Sequence, residues 1–72
     1  MLLNNIEKDI KLKCIDLNIN QVELGKKIHT TGQYVNRITK GRVTVINKTF
    51  IDMFEAMGYD IEINYIKKKN NI

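Results

Sequence analysis

Residues 20–41 read NQVELGKKIHTTGQYVNRITKG. Asn20 followed three positions later by Glu23 has capping-box spacing, with each side chain able to serve the other's backbone N–H. That pair opens a helix over residues 21–28, with Val22, Leu24, Gly25 and Ile28 at its apolar and small positions. A glycine inside a helix costs about 1 kcal/mol relative to alanine. Gly25 therefore predicts a neighbour approaching too closely for a larger side chain. His29 and Thr30 make a turn, and Thr31 caps a further helix reaching about Lys40. In that helix Val35 and Ile38 face inward and Tyr34 lies at the edge. Gly41 is the left-handed stop that follows many helices. The second helix is short and polar along its outer face, so another helix must bury its inner side.

Working outward, a preceding helix starts at Asn4 or Asn5, and Asn4 with Glu7 has capping-box spacing. Leu3, Ile6, Ile10, Cys14 and Leu17 recur at helical spacing as its inner stripe. Cys14 reads as a small buried hydrophobe on that stripe. Asn18 and Asn20 break the pattern. Downstream, residues 42–45 form a connector. A fourth helix follows near residues 46–57, with Ile46, Phe50, Met53, Phe54 and Met57 as a plain core stripe and Gly58 as its stop. From there the period changes: Tyr59, Ile61, Ile63 and Tyr65 alternate with Asp60, Glu62 and Asn64, which predicts a half-buried strand. A lone strand leaves backbone donors and acceptors unpaired. Tyr59, Ile61, Ile63 and Tyr65 are accordingly expected at a dimer interface, paired with the same strand of a second copy about a two-fold axis. Pairing with a foreign protein is the alternative. The expected division is residues 1–58 as one mainly α domain, 59–66 as a dimerisation strand and 67–72 as a basic, solvated end.

The chain has 72 residues and one cysteine, with 43% hydrophobic and 28% charged residues. This is the profile of one small folded domain, with no intrachain disulfide possible. No apolar run approaches a membrane span and no cationic secretory leader is visible, so a cytoplasmic location without membrane contact is expected. The formal net charge is +4, and it is unevenly placed. Residues 21–48 carry Lys26, Lys27, Arg37, Lys40, Arg42 and Lys48 against Glu23 alone. That excess lies on and just after the polar second helix, the footprint of a polyanion binder. No paired carboxylates, Cys–His proximity, glycine-rich phosphate loop or metal-ligand cluster stands out, so neither an enzyme nor a cofactor nor a metal is expected. His29 with one cysteine cannot complete a metal site.

Two short helices joined by a turn, with the second held polar side outward, have the layout of a helix-turn-helix, whose second helix enters a DNA major groove. The residues resemble the lambda-repressor-like (XRE-type) helix-turn-helix family. The resemblance rests on Asn20-Gln21 with Glu23-Leu24, small Gly25, Ile28, Thr30-Thr31, Val35, Arg37, Ile38 and Gly41. It continues without a gap through Phe50, Met53, Ala56 and Met57 to Gly58. It implies a mainly α, four-helix DNA-binding domain, here followed by one C-terminal β-strand used for dimerisation where the family usually has a fifth helix. His29 stands where the family usually has glycine, which implies a strained turn. Gly32 stands where it usually has a long side chain, and the connector's frequent proline is absent.

Carried over position by position, the resemblance implies that Gln21 holds a phosphate through its backbone N–H and amide. Thr31, Gly32, Gln33, Asn36 and Arg37 form the base-reading face, Gly32 by letting the helix sit deep. Gln33 is the first choice, because an amide pairs bidentately with adenine. Lys40, Arg42 and Thr44 contact backbone phosphates. The bland alternatives are solvated Gln33 and Asn36, and an Arg37 paired with a carboxylate. The implied partner is a double-stranded DNA operator bound by a homodimer, as in a repressor of a phage or mobile element. A protein-binding, antitoxin-like module is the competing reading.

Overall fold

The computed structural model describes residues 1–42 and 45–69. Thr44 lies outside the described residues. Four helices follow in order: α1 (Ile6–Leu17), α2 (Gln21–Lys27), α3 (Gly32–Thr39) and α4 (Lys48–Ala56). No helix among them is long and apolar enough to cross a membrane.

Each helix starts on a polar side chain that accepts an orphan backbone N–H. Asn5 accepts from Lys8 on α1, Asn20 from Glu23 on α2, Thr31 from Tyr34 on α3, and Asn47 from Thr49 on α4. The Asn20–Glu23 capping box forms in full. The box expected at Asn4 and Glu7 does not. Asn5 takes the cap, Glu7 turns to Lys11 at 2.8 Å, and Asn4 is used elsewhere.

All four helices also end alike. At each C-terminus two carbonyls accept from the two residues after the cap, the paired bonds of a Schellman turn. The donors are Asn18 and Ile19, His29 and Thr30, Gly41 and Arg42, and Gly58 and Tyr59. The first residue of each pair is left-handed, with φ of 54° at Asn18, 62° at His29, 73° at Gly41 and 92° at Gly58. Asparagine tolerates this region through its short polar side chain. His29 does so at a cost, as its departure from glycine implied.

α2 and α3 are the closest helix pair, and α1 packs across α3. Val35 and Thr39, 4% and 2% exposed, mark the centre of the core. Thr39 is polar, but its hydroxyl donates to the Val35 carbonyl at 2.8 Å, which removes the penalty of burying it. Gly25 is buried, and a Cβ there would lie 2.8 Å from the carbonyl carbon and oxygen of Thr31. The chain folds directly back over this glycine, as its place inside a helix predicted.

The stripe expected as core on α4 divides in two. Phe54 and Ile46 are half-buried, joined by Ile51, while Phe50, Met53 and Met57 are 49%, 57% and 58% exposed. Similarly, on α1 Ile6, Ile10 and Cys14 are half-buried but Leu17 is exposed, as is Leu3 ahead of the helix. The described residues of a single copy do not cover what the periodicity marks as apolar.

The C-terminal segment differs most from expectation. Among the described residues there is no strand, only one parallel bridge between Leu2 and Ile61. Leu3 N–H donates to the Ile61 carbonyl at 2.9 Å, and Ile61 N–H to the Met1 carbonyl at 2.8 Å. The Asn4 amide extends the pairing, donating to the Ile63 carbonyl at 2.9 Å and accepting from Ile63 N–H at 2.7 Å. The Tyr65 hydroxyl then reaches Asp9 on α1 at 2.9 Å. Partial burial first, and the Asp9 carboxylate second, push that phenol above its ordinary pKa. The edge expected to pair with another molecule is therefore occupied by the chain's own first residues. An asparagine side chain supplies the donor and acceptor that a second strand would have provided.

Candidate nucleic-acid interface

The capped start and Schellman end of α3 fix which side of a two-turn helix faces out. Val35 and Thr39 lie four residues apart on the buried side. Gln33 and Arg37, also four apart, occupy the opposite, exposed side. Thr31 is exposed at the helix start, and its oxygen is occupied by the Tyr34 N–H. Asn36 is half-buried, and its amide donates to Gln21 Oε1 at 2.8 Å. That bond joins the start of α2 to the face of α3 and fixes how the Asn36 amide is turned. One amide hydrogen and the carbonyl oxygen of Asn36 remain to act outward. The resemblance implied separate roles for Gln21 and Asn36, with no signal that they touch.

The Arg37 guanidinium lies 5.5 Å from the Tyr34 ring centroid, a cation–π contact, rather than against a carboxylate. Among the described residues the charge meets no carboxylate, and it is held on the outer face. Lys40 and Arg42 follow at the end of α3, both exposed. Glu7 is held below its ordinary pKa, first by its hydrogen bond with Lys11, then by the Lys11 charge, and more weakly by Lys40. Lys40 is thus the basic residue of this end that also faces α1.

Gly32 has a part in the packing as well. A Cβ at Gly32 would lie 2.7 Å from a Val22 methyl and 3.0 Å from the Val22 α-carbon. Its missing bulk lets α3 approach α2, so the space it saves is inside the protein. Val22 itself is 53% exposed. With Ile10, Cys14, Ile15, Gln33 and Asn36 it borders an open, largely apolar groove of 710 Å³ between α1 and the starts of α2 and α3. The apolar wall beside the polar face was not anticipated. Its members come from three helices: Ile10, Cys14 and Val22 are apolar positions of their own helices, and only Ile15 lies off the stripe of α1. No group of three potential metal ligands occurs among the described residues.

Compared with family models, curated proteins and solved structures, the chain matches none.

Proposed function

We propose that the chain is a sequence-specific DNA-binding regulator of the lambda-repressor-like helix-turn-helix type, acting as a dimer to occlude a promoter. One observation carries this reading. The outer face of α3 presents Gln33, the Gln21-braced Asn36 and the Tyr34-stacked Arg37 together, while Val35 and Thr39 anchor the helix from behind.

An exposed amide suits adenine, which offers an acceptor and a donor on its major-groove edge, and a guanidinium suits guanine or a phosphate. The apolar rim of Val22 and Ile15 suits a thymine methyl beside an adenine-reading amide. Gln21 at the first turn of α2, with Lys40 and Arg42 beyond α3, then contacts the phosphate backbone, which positions without specifying. Thr31 contributes its hydroxyl hydrogen, its oxygen being spent on the cap. Gly32 contributes by the closeness of the helices.

A single two-turn helix in one groove binds weakly, so two copies on half-sites about 34 Å apart are part of the proposal. One edge of the expected interface at Tyr59, Ile61, Ile63 and Tyr65 is taken by residues 1–4, so the dimer needs another surface. A protein-binding, antitoxin-like role is the second reading. The exposed apolar half of α4 supports it, since such faces attract partners.

Selection from random duplexes with purified protein tests the first reading. A defined half-site should emerge, and Gln33→Ala should relax one of its positions at a cost of about 1–3 kcal/mol. Lys40→Ala or Arg42→Ala should weaken all duplexes alike and lower the salt slope by about one phosphate per protomer. No retention of any duplex at low ionic strength would end the proposal.

A further inference from the structure

We propose that the exposed half of α4, Phe50, Met53 and Met57 continued by Tyr59, is where two copies of this chain meet. Four observations lead there. The first is area. The chain exposes 6296 Å², against about 4,600 Å² for a compact monomer of its mass. Part of the excess lies in the extended end around Ile66, which is 88% exposed. Another part lies on α4. Phe50, Met53, Met57 and Tyr59 are 49%, 57%, 58% and 64% exposed, roughly 100 Å² each given the full area of such side chains. Together they offer about half of the ~800 Å² that each partner of a stable dimer covers. That is the share expected of an apolar interface centre, with a polar rim supplying the rest.

The second observation is the spacing. Met53 falls three residues after Phe50 and four before Met57. An antiparallel two-fold pairing centred near Met53 sets Phe50 against the partner's Met57 twice, a sulfur–aromatic contact that favours association. The stripe is thus complementary to itself. The third is charge. Lys48, Asp52 and Glu55 lie on the side of α4 away from the stripe, and Lys48 is already bonded to Asp52 at 2.8 Å. Closing the stripe against its copy buries no ion.

The fourth disfavours the competing surface. Residues 61 and 63 spend their inward edge on residues 1–4. A two-fold ladder on the other edge, centred on Glu62, would set that carboxylate directly against its copy, which is destabilising. The proposed face lies on α4, whereas Gln33 and Arg37 lie on α3. It also stands whether or not the chain binds DNA.

The test needs no DNA. Light scattering after size exclusion of the full chain should give twice the chain mass at micromolar concentration. Met53→Glu should weaken that dimer by about 100-fold or more, because the interface would then bury an unpaired charge. Circular dichroism should show unchanged helix content. Should that variant fail to fold, a cysteine pair decides. Met53→Cys in a Cys14→Ser background should crosslink to a covalent dimer under mild oxidation, and Ile15→Cys in the same background should not. A wild-type monomer at every concentration would overturn the proposal. So would an undisturbed Met53→Glu dimer without a Met53→Cys crosslink, or association only with a different protein.

Discussion

The α2–α3 hairpin and α4 share one hydrophobic rhythm and have opposite fates. In the hairpin the rhythm is interrupted by Gly25 and Gly32, and these are where the backbones touch. Each would bring a Cβ within 3 Å of its neighbour. In α4 nothing is small along the stripe, and the large side chains Phe50, Met53 and Met57 remain half in water. A periodic apolar pattern tells which side of a helix avoids water. It does not tell whether the same chain supplies the cover. Close approach does, and small residues mark it.

Four experiments would break or sharpen that contrast. The largest effect belongs to Gly25→Val. Overpacking against the fixed Thr31 backbone should cost about 3 kcal/mol in urea unfolding. A variant as stable as the parent would show that the hairpin is loosely packed. Next, Val35→Ala, emptying the core centre, should cost about 2 kcal/mol. Met53→Ala, measured at dilutions where the chain is monomeric, should change stability by only about a few tenths. Equal losses would erase the difference between the two regions.

A smaller effect, of opposite sign, is expected at the turn. His29→Gly should stabilise by about 0.5–1 kcal/mol, since a left-handed φ of 62° strains a histidine and not a glycine. Destabilisation would mean the imidazole makes a contact that outweighs the strain. The smallest effect concerns acid. Glu7 is held below its ordinary pKa by Lys11, so its contribution is present above about pH 4.5 and is lost as pH falls through the lowered value. Glu7→Gln should therefore lower stability slightly at neutral pH and leave it unchanged at pH values below the lowered pKa. The pair is solvent-exposed, and added salt should abolish the difference.

Much of the hairpin was legible because its signals are local. Asn20 with Glu23, Thr31, and Gly41 each act on backbone groups within a few residues, and all three act as their types require. The left-handed stops at Asn18 and His29 were less legible, since neither residue announces φ above zero as glycine does. Within the polar face of α3, exposure of Gln33 and Arg37 followed from helix period. The bond from Asn36 to Gln21 did not, because it crosses fifteen residues and depends on how α2 and α3 are set.

The alternation after Gly58 shows the limit most clearly. Residue type predicted an extended segment with Tyr59, Ile61, Ile63 and Tyr65 on its covered side; Ile61 and Ile63 are half-buried, whereas Tyr59 and Tyr65 are 64% and 48% exposed. Residue type also suggested that no partner existed within the chain. Three residues and one asparagine side chain at the start provided one, too short a stretch to carry a pattern of its own.

Amino-acid order alone settled that four helices form, where α2 and α3 begin, and which flank of each helix is oily, because capping and rotation about the helix axis are short-range. Three-dimensional packing decided which oily flanks are covered, which glycines are contact points, and what residues 59–65 lie against. Those outcomes depend on pairs of surfaces far apart along the chain, and such pairs are set by shape and distance rather than by neighbouring residues.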